Sequence, residues 1–278
     1  FLCPNGLFYR AGHICSDCLK FGRQSAVVNR CWRDSFAASL VMTRMVDTYH
    51  AQGVLTDKIQ QYIALSDFSR RVFVGNGFPE ETISVKPNFF ECDPSPSRDK
   101  GNYALFIGGF FPYKGVETLA EAWRSEGAGI PLKMIGDGPL SSRIQGFSIK
   151  GVELLGRLPL TETQEYLRRA RILIVPSECY ENFPRVIVEA FAYGVPVAAS
   201  DLGAMRELIR EGETGTLFEP GNYRALLEKV KQLIAQPALL EQMGKNVRQE
   251  FEAKYTQERN YTMLMDIYSC ALEQHSRF

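Results

Sequence analysis

Three charged side chains stand where chemistry on a polyol or an anion would need them. Glu181 and Glu189 lie in the stretch RILIVPSECYENFPRVIVEAFAYGVPVAASDLG, residues 171–203. Glu189 sits among Val186, Ile187, Val188, Ala190 and Phe191. A carboxylate so surrounded is costly without a partner. Because it only accepts hydrogen bonds, a pair of ligand hydroxyls would suit it. Lys114 closes the run Gly108-Gly109-Phe110-Phe111-Pro112-Tyr113-Lys114 and is followed by Gly115. Val116, Leu119, Ala120 and Trp123 then mark one helical face. Lys114 is thus placed at a helix N-terminus, where backbone N–H groups, the helix dipole and a flexible cation converge on an anion. A nucleotide diphosphate is the natural guest. Gly136-Asp137-Gly138-Pro139 is a second glycine turn that allows close backbone approach. It lacks the G-x-G-x-x-G spacing of a dinucleotide site. Each feature also has a bland use: a solvated lysine, a plain turn, a satisfied helix glutamate.

The elements that must position these residues are legible around them. Ile172–Val175 is a short apolar run ended by Pro176, which cannot continue a central strand. A polar loop, 177–183, follows. Pro184 is expected at the first helical position, where its missing N–H costs nothing. Gly194 and Pro196 stop the helix, and the next apolar run reads as a strand. This is a strand–loop–helix–strand unit of a parallel sheet, whose ligands bind at the carboxyl ends of the strands. Further strands are expected at 103–107, 132–135, 152–155 and 216–218, with helices between and after them. Thr161 and Gln164 read as a capping box for the helix that runs to Ala170. Ahead of these, a helix over 34–52 starts at Asp34 or Ser35, with Phe36, Leu40 and Met45 as core candidates. Short strands at 62–65 and 83–86 flank a helix capped by Ser66. Residues 1–33 read as irregular. The polar, proline-containing stretch 94–102 reads as a linker.

The spacing Glu181-x7-Glu189, followed by AFAYGVPVAASDLGAMRELI, resembles the E-x7-E signature of retaining GT-B glycosyltransferases, and most of all glycosyltransferase family 4. The resemblance implies an α/β chain of GT-B type. Its Rossmann-like C-terminal domain (103–255) would be complete. Its N-terminal, acceptor-side domain (1–93) would be present only in its later part, and residues 256–278 would cross back to it. It implies that Glu181 meets the donor sugar and Glu189 holds the ribose hydroxyls. Lys114 matches the lysine of a G-R-x4-K-G phosphate grip, with Gly108 at its first glycine and Gly109 where the arginine would stand. Gly136 and Gly138 match a G-D-G-P turn beside the nucleotide, and the turn at Arg157 would lie against the base. Asn182 and Phe183 would bring backbone N–H groups near sugar and phosphate. The implied reaction transfers a sugar, with retention, from a nucleotide-sugar donor to a hydroxyl of a glycan, lipid-linked or polysaccharide precursor. No metal cofactor is required for it. The catalytic histidine of the family would precede Phe1, and neither His13 nor His50 matches it. The chain is therefore expected to be an N-terminally truncated fragment, inactive alone.

Formal net charge is zero, from 32 basic and 32 acidic residues, which gives no sign of a nucleic-acid partner. No run approaches the roughly 18 apolar residues of a membrane span. Seven cysteines, an odd number, favour reduced thiols and a cytoplasmic protein, with peripheral association at the inner face of the plasma membrane as a second expectation. Four of them, Cys3, Cys15, Cys18 and Cys31, have a spacing that could supply a tetrahedral structural zinc; loose thiols in a loop are the plain alternative. Three other functions stay open on the residues alone: a non-catalytic nucleotide-sugar-binding fragment, a sugar-nucleotide epimerase of the same fold, and a zinc-binding interaction module.

Overall fold

The computed structural model describes residues 2–275 apart from 93, 95, 97 and 98. The chain divides into two compact units, Phe1–Pro87 with Tyr261–Phe278, and Asn88–Asn260.

The first unit opens with a small antiparallel hairpin, β1 (Tyr9–Arg10) and β2 (His13–Ile14). Helices α1 (Asp17–Phe21), α2 (Gln24–Val28), α3 (Phe36–Ala51) and α4 (Val54–Asp57) follow. Residues 1–33 are therefore not irregular. Their elements are only two to five residues long, too short for a periodic signal. Ser35 caps α3 by accepting from Ala38 N–H, as its residue type implies. The core assignment on α3 is overturned. Phe36, Leu40 and Met45 are exposed, while Ser39, Thr43 and Val46 are buried, because α3 turns its polar side to α2. Next come β3 (Tyr62–Ala64), α5 (Asp67–Val74) and β4 (Ile83–Val85), with β3 and β4 paired in parallel. Ser66 caps α5 through Ser69 N–H.

The second unit carries a six-stranded parallel sheet. Its elements in chain order are β5 (Ala104–Ile107), α6 (Val116–Ser125), β6 (Leu132–Ile135), α7 (Ser141–Gly146), β7 (Val152–Gly156), α8 (Leu160–Arg169) and β8 (Ile172–Val175). They continue as α9 (Arg185–Ala192), β9 (Val197–Ser200), α10 (Gly203–Leu208), β10 (Gly215–Phe218), α11 (Tyr223–Ile234), α12 (Pro237–Lys254) and the start of α13 (Gln257–His275). The strand order is β10-β9-β8-β5-β6-β7, parallel throughout. The chain builds outward from β5 to β7, then returns to the other side of β5. The topological switch point therefore falls between β5 and β8, where a ligand crevice is expected. All residues of β8 and β9 are buried, which is why they read as unbroken apolar runs. Leu119 and Trp123 of α6, with Leu226 and Val230 of α11, close one face of the core.

Three local readings need correction. Pro184 is the N-cap of α9 and not its first residue. α8 begins at Leu160 behind Pro159, and Thr161 makes no cap; the hydroxyl of Thr163 bonds the Pro159 carbonyl. The helix therefore starts two positions earlier than the capping-box pattern suggests, behind a proline whose fixed φ suits a helix entry. The polar stretch read as a linker is fastened to the second unit in its described residues. Lys100 Nζ donates to the carbonyls of Arg168 (2.9 Å) and Tyr193 (3.0 Å), and Gly101 N–H to Arg169 (2.7 Å).

Candidate active site

The site grows from the carboxyl ends of β5 and β8. After β5 the chain runs through Gly108 and Gly109 into a 3-10 turn, Pro112–Lys114, and enters α6 through Gly115. Gly115 has φ +67°, and a Cβ there would lie 1.9 Å from the carbonyl oxygen of Pro176. Only glycine lets the two loops touch backbone to backbone. Glu178 N–H then bonds the Tyr113 carbonyl at 2.8 Å and locks them together.

This contact brings the predicted charges into one place. Lys114 Nζ meets Glu181 Oε1 at 2.6 Å, and Ser177 Oγ donates to the same oxygen at 2.7 Å. Both charged side chains are largely covered, at 29% and 14% exposed, so the pair is screened less than a surface salt bridge. Behind it, Thr118 Oγ1 donates to Glu178 Oε1 at 2.5 Å. Burial lifts the Glu178 carboxyl above its ordinary range, and the Thr118 bond opposes that lift. Gly221, on the loop after β10, lies beside the same carboxylate.

A second backbone contact joins β5 to β6. Gly136 has φ +138°, and a Cβ there would fall 1.9 Å from the Gly108 carbonyl oxygen. Phe110 N–H donates to the Asp137 carbonyl at 2.7 Å, and Gly138 packs on the Phe110 backbone. Gly108, Gly136 and Gly138 are thus brought together. A side chain at Gly109 would meet the Phe111 ring at 2.8 Å. That ring stacks on Tyr113, with centroids 5.4 Å apart and planes 11° from parallel. An aromatic pair occupies the place an arginine would need.

Glu189 lies about two turns into α9. Its nearest charge is Arg185, Nε to Oε1 4.0 Å. Burial pushes its carboxyl up, and Arg185 pulls against the shift. Asn182 is exposed, while Phe183 is buried with its ring edge-on to Tyr255 at 6.2 Å. Phe183 therefore anchors the loop 177–183 rather than lining its surface. Arg157, beyond the outermost strand β7, is exposed and makes no ion pair among the described residues. Cys3, Cys15, Cys18 and Cys31 belong to the first unit and are free thiols.

Sequence reasoning passed over Glu178, Ser177 and Thr118. The signal for Glu178 was a second glutamate in the same short loop. For Thr118 it was a hydroxyl in the first turn of the helix that follows Lys114.

Residues 90–250 match the family described as Glycosyl transferases group 1. Among curated proteins, the chain is 35% identical over 171 residues to an uncharacterized glycosyltransferase of Methanocaldococcus jannaschii, covering 60% of this chain and 48% of that protein. It is 30% identical over 210 residues to the phosphatidyl-myo-inositol mannosyltransferase of Mycobacterium leprae, covering 68% and 54%. The chain thus spans about half the length of these relatives. Among solved structures, a TarM variant of S. aureus in complex with fondaparinux, alpha-GlcNAc-glycerol and UDP matches with TM-score 0.69 at 21% identity, over 81% of this chain and 46% of that one. HepE of Anabaena in complex with UDP-glucose matches with TM-score 0.65 at 21% identity, over 79% and 64%. These likenesses show the GT-B type of fold. The family match covers more than half of the chain and takes in both loops that hold Lys114 and Glu181: the chain belongs to the Glycosyl transferases group 1 family.

Proposed function

We propose that this chain is the donor-side part of a longer, retaining family-4 glycosyltransferase that moves a sugar from a nucleotide diphosphate to an acceptor hydroxyl. The observation that carries the reading is the Lys114–Glu181 pair at the switch point of the sheet. Lys114 would turn from Glu181 to the diphosphate, at the N-terminus of α6, whose free N–H groups also favour an anion. Glu181 would then face the sugar, and Glu189 would accept from the ribose hydroxyls. The anomeric bond to phosphate breaks with its electron pair leaving on the diphosphate, the bond to the acceptor oxygen forms on the same face, and the acceptor hydroxyl gives up its proton. Fixed cations and helix N-termini steady the departing diphosphate, so the scheme calls for no metal. Gly109 removes one cation of the grip; the Phe111–Tyr113 stack supplies packing there but no charge.

Several relatives support the reading. HepE was solved with UDP-glucose and TarM with UDP, and the Mycobacterium leprae relative is named a mannosyltransferase. A nucleotide-sugar donor with a glycan or lipid-linked acceptor suits this set. No helix among the described residues is long and apolar enough to cross a membrane.

Calorimetric titration of the chain with UDP, GDP and dTDP, beside the corresponding dideoxyribonucleotides, tests it. Binding of at least one diphosphate, weakened by loss of the ribose hydroxyls and by Glu189→Ala, is expected. Absence of binding to all of them, or unchanged affinity in Glu189→Ala, would refute the assignment.

A further inference from the structure

Cys3, Cys15, Cys18 and Cys31 all line one cavity of about 20 Å³ in the first unit. That is room for about one water-sized guest. Each cysteine arrives on a different piece of local structure. Cys3 opens a turn closed by Gly6 N–H on the Cys3 carbonyl, 2.9 Å. Cys15 follows the β1–β2 hairpin, and its N–H bonds the Phe8 carbonyl at 2.8 Å. Cys18 lies in the first turn of α1. Cys31 leaves α2 with its N–H on the Ala26 carbonyl at 2.9 Å. The fold gathers these side chains; sequence adjacency accounts only for Cys15 and Cys18.

Two further observations bear on the cavity. Arg10 lines it, and its Nε is buried with no hydrogen-bond partner. Of six non-glycine residues with positive φ among the described residues, five (Phe8, Ala11, Arg30, Arg33 and Asp34) fall between positions 8 and 34. Such backbone persists only where surrounding interactions hold it. The apolar cluster of this unit is small, built on Leu2, Leu55, Ala64, Phe78 and Ile83. A segment of this kind needs a staple.

We propose that Cys3, Cys15, Cys18 and Cys31 form a structural tetrathiolate site for one zinc ion that fastens residues 1–33. Four soft thiolates around a single-ion cavity suit zinc, and four protein ligands leave no position open for catalysis. On binding, four S–H groups release their protons to solvent and four S–Zn bonds form, with no change of oxidation state. The centre carries two negative charges. The Arg10 guanidinium offsets part of them, and its unpartnered Nε–H finds a sulfur acceptor. Among the described residues no three Cys, His, Asp or Glu side chains already stand in a metal-holding arrangement. The thiols therefore turn inward as the ion enters, so metal uptake and local ordering are one event. The other cysteines serve as internal controls: Cys92 and Cys270 are exposed, and Cys179 is buried in the loop that follows β8.

The test uses the full 278-residue chain, purified under reducing conditions from zinc-supplemented culture, with metal content measured directly. About one zinc per chain is expected. Metal-free protein titrated with cobalt should develop the intense visible bands of a tetrahedral thiolate complex, and zinc should abolish them. Cys18→Ser should lose the zinc, and Cys92→Ser should keep it. Protein that carries no zinc and gives no tetrahedral cobalt spectrum overturns the proposal, as does Cys18→Ser that folds and keeps its zinc. Two disulfides among the four cysteines of a metal-free protein would also overturn it. If Cys18→Ser fails to fold, the cobalt titration of the unmodified chain decides alone.

Discussion

Lys114 and Glu181 are 67 residues apart in sequence, yet Nζ and Oε1 meet at 2.6 Å. Their meeting is a property of topology. β5 and β8 are hydrogen-bonded neighbours only because the chain reverses its direction of sheet growth, and each residue follows one of those strands. In the proposed role the ammonium group is held ready by Glu181 until a diphosphate competes for it. Lys114→Met should therefore weaken nucleoside diphosphate binding by about 1.5–3 kcal/mol, roughly tenfold or more, by calorimetry. It should also destabilise the ligand-free chain, since Glu181 keeps only Ser177 as partner. Adding Glu181→Gln should return most of that stability without returning affinity. Full affinity in Lys114→Met would remove the lysine from the diphosphate grip.

Glu189 carries a trade between stability and binding that can be read from pH. Burial raises its carboxyl above the ordinary value, with Arg185 working against the shift. The neutral form is thus favoured in the fold. Its contribution is fully present below the ordinary carboxyl pKa and is lost as pH rises through the raised folded value. At neutral pH the ionised group costs stability. Glu189→Gln is expected to match or exceed the parent in stability at pH 7 in urea unfolding, with the gap closing as the pH falls through the carboxyl range. Nucleotide affinity should fall at the same time. A Gln variant that is less stable at pH 7 than at pH 4, relative to the parent, would contradict this account.

The second unit was readable because its strands are buried on both faces and its turns are marked by glycine and proline. Ile172–Val175 and Leu132–Ile135 coincide with the runs predicted. Gly194, at φ +66°, ends α9 as its residue type implies. The first unit was readable where a cap announced a helix, at Ser35 and Ser66, and at the two short strands β3 and β4. Its short helices carry too few turns for periodicity, and α3 buries serine and threonine while its large apolar side chains stay exposed. No pattern in a single sequence says which side of α3 its neighbours take. In the site, charge and glycine could be located, but partnership could not. Glu178, bound to Thr118 across a loop contact, becomes visible only once β5 and β8 are adjacent.

The loop contact itself is testable through one carbon atom. Gly115→Ala combines a positive φ with a Cβ 1.9 Å from the Pro176 carbonyl oxygen, so the two strand-end loops must part. A loss of at least about 2–3 kcal/mol is expected, together with loss of nucleotide binding. Gly129→Ala is the control: its φ is +74°, but nothing lies within 4 Å of the added carbon. It should cost only the backbone term, about 1 kcal/mol, and leave binding intact. Equal losses in the two variants would mean that the closeness of the loops is unimportant.

Lys100 gives a pH signature on the alkaline side. Its ammonium group is buried against the carbonyls of Arg168 and Tyr193, and burial, aided by the Arg168 charge, lowers its pKa from 10.5 to about 8. Between those values the unfolded chain keeps a proton that the folded chain has released, so stability should rise with pH across this window. Two and a half pKa units bound the rise at about 3 kcal/mol. Lys100→Met should flatten this part of the stability profile, because the titrating group is gone. It should also lower stability near pH 7, where the two carbonyls lose their donor. Urea unfolding of both proteins from pH 7 to pH 10, followed by tryptophan fluorescence from Trp123 in the core, measures the difference. A parent protein whose stability falls steadily over that range, in parallel with Lys100→Met, would show that the group does not titrate there.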